Sequence, residues 1–314
     1  MRLLVFGGTG LVGGYFVRQA QAQGHELIIA TRQKHLQSRP GISYLHLDLS
    51  HPGFEKQIQT SGIDNIVFMA YANRGAEDYQ HQVTTDAVIN LLAHFHGSRL
   101  QNFIFLGSMV VFGESINHQI ITENSPKKAE NTYARNKLEA TEAMMGCTDS
   151  FSCTVLHPTG IYSSESERIQ GYQSLLHDHY IDFSNGACGF NNIVHASDVA
   201  EAILLCLNRQ GARNDEFIVN GECIIYSDWM KVIEASVQLK QKKLPRSFKF
   251  FNRGPVRRVL NKLPFRTPLK TPKYKLDLYE RDVLFDASKL STAVGWNPHY
   301  HFNLDMIQGH LDLH

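Results

Sequence analysis

No run of this 314-residue chain is apolar over the ~18 residues that a membrane-crossing helix needs. An apolar strand pattern starts directly after Met1, so no cleaved leader is expected. An excess of one charge is also missing. Lys and Arg number 31 against 30 Asp and Glu, so no global field draws the chain to nucleic acid or to a membrane surface. Cysteine is sparse: Cys147, Cys153, Cys188, Cys206 and Cys223 are odd in number, scattered, and form no C-x-x-C pair. Reduced thiols in a cytoplasmic protein are the expectation. Internal repeats and low-complexity tracts are absent as well. The 16 histidines include His94-Phe-His96 and His299-Tyr-His301, but neither pair has a cysteine or carboxylate cluster beside it, so no metal site is expected.

What is present is concentrated in the first 32 residues. An apolar strand, Leu3–Phe6, runs into Gly7-Gly8-Thr9-Gly10-Leu11-Val12-Gly13. An amphipathic segment and a second strand, Leu27–Ala30, follow, ending at Thr31-Arg32. Strand, glycine turn, helix and strand in that order can hold a dinucleotide. Gly7 permits the tight turn, Gly10 lets the backbone approach a pyrophosphate, and Gly13 lets the helix pack close to the strand. The helix N-terminus then offers unpaired N–H groups and partial positive charge to phosphates.

Further strands are expected at Tyr44–Leu47, Asn65–Ala70, Phe103–Leu106, Cys153–Leu156 and Glu216–Val219. Helical periodicity marks Leu11–Gln23, Asp78–His96, Thr132–Met145, 198–208 and Ser227–Leu239. This alternation predicts an α/β, Rossmann-type, doubly wound parallel sheet with a smaller interleaved C-terminal substrate lobe. Residues 1–162 and 193–221 would form the nucleotide-binding domain, and 163–192 with 222–314 the substrate lobe. Ligands of such sheets bind beyond the carboxyl ends of the strands.

Tyr133-Ala-Arg-Asn-Lys137 puts a phenol and an ammonium on one helix face. A nearby cation lowers a phenol pKa and makes it a usable proton donor or acceptor. Ser108 follows the strand Phe103–Leu106, where a hydroxyl can meet a substrate carbonyl or simply cap a turn.

These motifs together resemble the extended short-chain dehydrogenase/reductase family, its epimerase/dehydratase-like branch, over nearly the full length. The glycine turn matches G-x-x-G-x-x-G. Gly107-Ser108 followed by Val111-Phe112-Gly113 is similar to the strand ending in the active-site serine and a V-Y-G turn. Tyr133 and Lys137 match the catalytic pair, His157-Pro158-Thr159-Gly160-Ile161-Tyr162 is similar to R-P-x-x-I-Y-G, and Asn192–Ala200 to F-I-H-V-D-D-V-A. Asp286-Ala-Ser288-Lys289 with Gly295-Trp296-Asn-Pro298 resembles the C-terminal signature. The resemblance implies Tyr133 as general acid/base, Ser108 positioning the carbonyl, and Lys137 holding the nicotinamide ribose while depressing the Tyr133 pKa. It implies a cofactor path over Gly7, Thr9, Gly10, Leu11, Val12 and Gly13, with Asp48 and Leu49 near the adenine. Met69, Ala70 and Tyr71 would line the path after the fourth strand, and Pro158, Thr159, Gly160 and Ile161 would meet the nicotinamide end. It also implies a homodimer face on helices 78–96 and 132–145.

Departures from the pattern carry information. Thr31 and Arg32 stand where NAD-preferring members carry an acid after the second strand. A guanidinium pairs with a 2′-phosphate, so the expected cofactor is NADP(H), with NAD(H) as the alternative. Met109 stands where dehydratases have an acid, Thr84 where many members have an active-site Asn, and Phe112 and Ser163-Ser164 replace the usual Tyr and Gly-Pro. The basic stretch 242–281, with only Asp277 and Glu280 as acids, reads either as a solvated loop with core anchors or as a docking surface for an anionic or carrier-linked substrate. The leading expectation is an NADP(H)-dependent oxidoreductase acting on a small-molecule carbonyl or alcohol. A nucleotide-sugar epimerase with tightly held NAD⁺ is the second, and a non-catalytic NADP(H)-sensing regulator the third.

Overall fold

Seven parallel strands make the central sheet of this computed structural model, in the order β10-β7-β5-β4-β1-β2-β3. They are β1 (Arg2–Phe6), β2 (Glu26–Thr31), β3 (Ile42–His46), β4 (Asn65–Phe68), β5 (Asn102–Leu106), β7 (Ser152–Pro158) and β10 (Asp215–Val219). The structure describes residues 1–72, 75–113, 119–147, 149–166, 169–171, 173, 189–236 and 282–308. The basic stretch 242–281, Cys188 and most of 163–192 lie outside the described residues.

The sheet is covered on both faces, as an all-parallel sheet must be. Alternation along β1 sends Leu3 and Val5 to one side and Leu4 and Phe6 to the other. The first side packs under α1 (Leu11–Ala22) and α5 (Ala196–Asn208) through Phe16, Val17, Val199 and Ile203. The second packs under α3 (Ala87–Phe95) and α4 (Thr132–Met145) through Val88, Leu91, Ala140 and Met144. The strand order reverses between β1 and β4, so the crevice of this fold opens above the glycine turn.

The expected single helix over Asp78–His96 is interrupted. α2 (Glu77–His81) passes through a π-helical turn, Gln82–Asp86, before α3 begins. Thr84 and Thr85 are buried in that turn, and the Thr85 hydroxyl donates to the Asn136 carbonyl of α4 at 3.1 Å. The turn widens the helix where it meets α4.

A second core gathers the smaller elements. β8 (Gly160–Tyr162), β9 (Phe190–His195) and β11 (Glu222–Ile225) form a three-stranded sheet. Against it lie α6 (Tyr226–Ser236) and α8 (Leu304–Ile307), with Trp229 stacked on Phe302 at 5.7 Å between centroids. β6 (Gln119–Ile121) pairs in parallel with β12 (Val283–Phe285), which the Asn192 side chain clasps by bonds to the Val283 carbonyl and the Phe285 N–H. After β12 the chain enters the large core. Leu290 and Val294 of α7 (Ser288–Val294), then Trp296, pack with α5 and β10. Buried Asp198 of α5 accepts from the His299 and Tyr300 N–H groups at 3.1 and 3.2 Å, although burial raises its pKa to about 6.

Candidate active site

The turn from β1 into α1 is built for close approach. Gly7 has φ +80°, and a Cβ there would lie 2.7 Å from the Ala70 nitrogen. A Cβ on Gly13 would sit 2.1 Å from the Gly7 carbonyl oxygen. Gly10 is the N-cap of α1, with no side-chain cap and no acid in the first turn. The first helical N–H groups therefore face the crevice without a side-chain partner.

Two chambers flank this turn and share Gly7, Thr9, Gly10, Met69 and Tyr71 in their walls. The first, about 790 Å³, is walled by Thr31, Arg32, Asp48, Leu49 and Ala70. Asp48 Oδ1 accepts from the Ser50 N–H and hydroxyl. Burial opposes ionisation there, but these bonds and the Arg32 charge outweigh it and hold the carboxyl below its ordinary value. The second chamber, about 890 Å³, is walled by Leu11, Val12, Gly13, Ser108, Tyr133, Lys137, Pro158, Thr159 and Ile161. Gly160 alone of the expected cofactor residues lies outside both walls: it is buried in β8, paired with Ile193. A β-strand sends alternate residues to opposite faces, and this one is turned inward.

Ser108, Tyr133 and Lys137 converge at one end of the second chamber. β5 ends at Leu106, so Ser108 stands at the carboxyl edge, where its Oγ also accepts from the Val110 N–H at 3.5 Å. Capping and exposure to the chamber thus coexist in one hydroxyl. The Asn131 side chain caps α4 on the Ala134 N–H, which fixes where the first turn presents Tyr133. Burial pushes the phenol up to about 12, against a bond from the Ser108 hydroxyl that lowers it. Lys137 is 2% exposed, donates to the Leu106 carbonyl at 2.6 Å, and lies 4.7 Å from the Phe105 ring centroid. Burial brings its ammonium down to about 7. The expected depression of the Tyr133 pKa by Lys137 is thus not what this arrangement provides. One Lys137 N–H goes to the Leu106 carbonyl at the end of β5, and desolvation dominates the phenol.

Sequence reasoning missed the support behind Ser108. His157 is fully buried, and a Cβ on Gly107 would meet its Nδ1 at 2.6 Å. Its Nε2 lies 3.0 Å from Glu216, which also pairs with Lys127, and its ring meets Phe112 edge-on at 5.6 Å. The Phe that replaces Tyr in V-Y-G is therefore a buried packing residue. Burial opposes ionisation of Glu216, but the His157 and Lys127 bonds outweigh it and hold the carboxyl down to about 2. Burial keeps the His157 pKa below its ordinary value. Because Glu216 is depressed in the fold, its contribution is present above about pH 4.5 and is lost as pH falls toward 2. The stability difference between wild type and Glu216→Gln, which cancels the opposite contribution of Asp198, should shrink between pH 6 and pH 3 by about 2 kcal/mol in urea melts. Glu216→Gln should be weaker at pH 6 and show a shallower acid slope; an unchanged slope would remove this carboxyl from the account.

The histidine pairs serve other partners: His94 Nε2 lies 2.9 Å from the Ile58 carbonyl, and His299 pairs with Glu201 at 3.1 Å. Among the described residues no helix is long and apolar enough to cross a membrane.

Residues 3–220 match the NAD dependent epimerase/dehydratase family. The uncharacterized protein YwnB of Bacillus subtilis (strain 168) is 24% identical over 222 residues, 71% of this chain and 99% of that protein. A short-chain dehydrogenase/reductase superfamily protein from Agrobacterium tumefaciens, solved with bound NAD, aligns over 98% of this chain and 95% of its own, with TM-score 0.73 and 16% identity. DesIV, a dTDP-glucose 4,6-dehydratase from Streptomyces venezuelae, solved as a double mutant with NAD and DAU bound, aligns over 98% of this chain and 96% of its own, with TM-score 0.73 and 18% identity. Strand order, glycine turn and family match agree: the chain belongs to the NAD dependent epimerase/dehydratase family and is an NAD(P)-dependent enzyme.

Proposed function

We propose that this enzyme uses NADP(H) to reduce the carbonyl of a small molecule, or to oxidise the corresponding alcohol, with Tyr133 as general acid/base. The observation that carries the reading is the hydrogen-bonded pair of hydroxyls, Ser108 and Tyr133, at the chamber end that Lys137 also lines. The backbone-to-backbone approaches that a Cβ at Gly7 or Gly13 would break hold the uncapped N-terminus of α1 toward the crevice, which fits a pyrophosphate. The chambers on either side give room for the adenosine at Thr31, Arg32, Asp48 and Leu49, and for the nicotinamide at Pro158, Thr159 and Ile161.

When bound, the nicotinamide supplies or accepts the hydride. The chain's own residues handle the oxygen. A carbonyl oxygen placed between Ser108 and Tyr133 accepts two O–H bonds, which polarises the carbon. With its pKa held at about 12, Tyr133 carries the proton that the developing alkoxide must receive. Lys137, in the chamber wall, keeps one N–H on the Leu106 carbonyl and would offer another to a ribose hydroxyl. Arg32, directly after β2 at a position where no acid stands, supports a 2′-phosphorylated cofactor, with Asp48 in the same wall opposing it.

A nucleotide-sugar epimerase holding NAD⁺ is the second reading, favoured by the family match and by relatives solved with NAD. Met109 offers no acid after Ser108, which disfavours dehydration. NADPH consumption against a panel of ketones and aldehydes separates the two. Substrate-dependent NADPH loss supports the reductase. Purified protein that carries NAD⁺ and turns over a nucleotide sugar with no net cofactor change supports the epimerase and overturns the first reading.

A further inference from the structure

The first chamber has one cationic side chain in its wall among the described residues, Arg32, and that guanidinium is not left to swing in solvent. Its Nη1 donates to the Tyr79 hydroxyl at 2.5 Å. Tyr79 comes from α2 and lines the same chamber. Three contacts set its place. Gly75 has φ +103°, and a Cβ there would lie 2.9 Å from Tyr79 Cδ1, so the ring occupies space that only glycine leaves open. Gln80 Nε2 donates to the Gly75 carbonyl at 3.0 Å, which closes the turn before α2. The Thr132 hydroxyl donates to Glu77 at 2.6 Å and ties the start of α2 to α4. After β2, the Gln33 N–H donates to Thr31 Oγ1 at 3.2 Å and bends the backbone on either side of Arg32.

A phenol that accepts from a guanidinium keeps its own O–H proton to donate. The result is a pair of donors from two different elements, one charged and one neutral, aimed at one space beside the end of β2. We propose that Tyr79 is a specificity-determining residue, which holds Arg32 and donates with it to a phosphomonoester on the 2′ position of the bound ribose. A phosphate dianion takes a charge-assisted bond from each; a bare 2′-hydroxyl has little use for either. This rests on the NADP(H) reading above and adds to it the residue from α2 that makes the preference.

The probes are adenosine 2′,5′-bisphosphate and 5′-AMP, which differ only in the 2′-phosphate, titrated calorimetrically into the full chain. The wild type should bind the bisphosphate at least about tenfold more tightly. Tyr79→Phe should lose about tenfold of that affinity while 5′-AMP stays within about twofold, and Arg32→Ala should remove the preference altogether. If Tyr79→Phe keeps the full preference, or weakens both probes alike, Tyr79 only packs and the proposal is overturned while the NADP(H) reading stands. If the wild type shows no preference, the NADP(H) reading falls and takes this proposal with it.

Discussion

Replacing Tyr133 with phenylalanine should lower turnover with NADPH and a reducible carbonyl by about 10²–10⁴-fold, the usual range for a positioned general acid. The ring remains, so the edge-on contact with Tyr71 at 5.9 Å and the packing of α4 are kept, and nucleotide affinity should change little. The loss should therefore fall on kcat rather than on KM. The pH dependence gives a second check. Burial holds the phenol at about 12, so its acid form persists across the working range and reduction should show no limb from Tyr133 ionisation below about pH 10. A limb close to neutrality would belong to Lys137, which burial brings to about 7, and should vanish in Lys137→Met. Turnover unchanged by Tyr133→Phe would end the role assigned to this residue.

A single methyl group on Gly13 should be nearly as damaging by a different route. A Cβ 2.1 Å from the Gly7 carbonyl oxygen cannot be absorbed by a side chain, because the obstacle is backbone. α1 must move away from the turn, and overpacking of this kind costs about 1–3 kcal/mol. The same shift withdraws the helical N–H groups from the pyrophosphate position, so dinucleotide affinity should fall by about tenfold or more. Gly14→Ala is the matched control. Nothing lies within 4 Å of its would-be Cβ, and alanine is the better helix former by about 1 kcal/mol. Melting temperature and dinucleotide affinity should drop together in Gly13→Ala, while melting temperature should hold or rise in Gly14→Ala. Equal behaviour of the two variants would contradict the close-approach account.

Local pattern and structure agree where physics is local. α4 begins and ends at Thr132 and Met145, as its periodicity predicts; β1 and β5 start one residue earlier than expected, and β2 is longer by one residue at each end. The glycine turn was readable because each glycine answers a backbone constraint within a few residues. What the sequence hid is what tertiary contact decides. Tyr79 sits in an ordinary polar helix and acquires meaning only from Arg32, far away in the chain. The burial of His157 against Glu216 depends on β7 lying beside β10. Lys137 shares a helix face with Tyr133 as spacing requires, yet its charge goes to Leu106, a partner no spacing rule names. The π turn at Gln82–Asp86 leaves apolar periodicity nearly intact while changing the backbone.

The return of the chain after β12 into the large core has a consequence for biosynthesis. Leu290, Val294 and Trp296 fill space between α5 and β10, the Trp296 indole donates to the Asp198 carbonyl, and Asp198 receives the next turn of backbone. The large core therefore cannot complete its own interior until late in translation; its last wall leaves the ribosome after β11 and α6 of the second core have been made. Chains arrested before residue 288 would leave the large core with an open flank, so closing that core is tied to the end of synthesis.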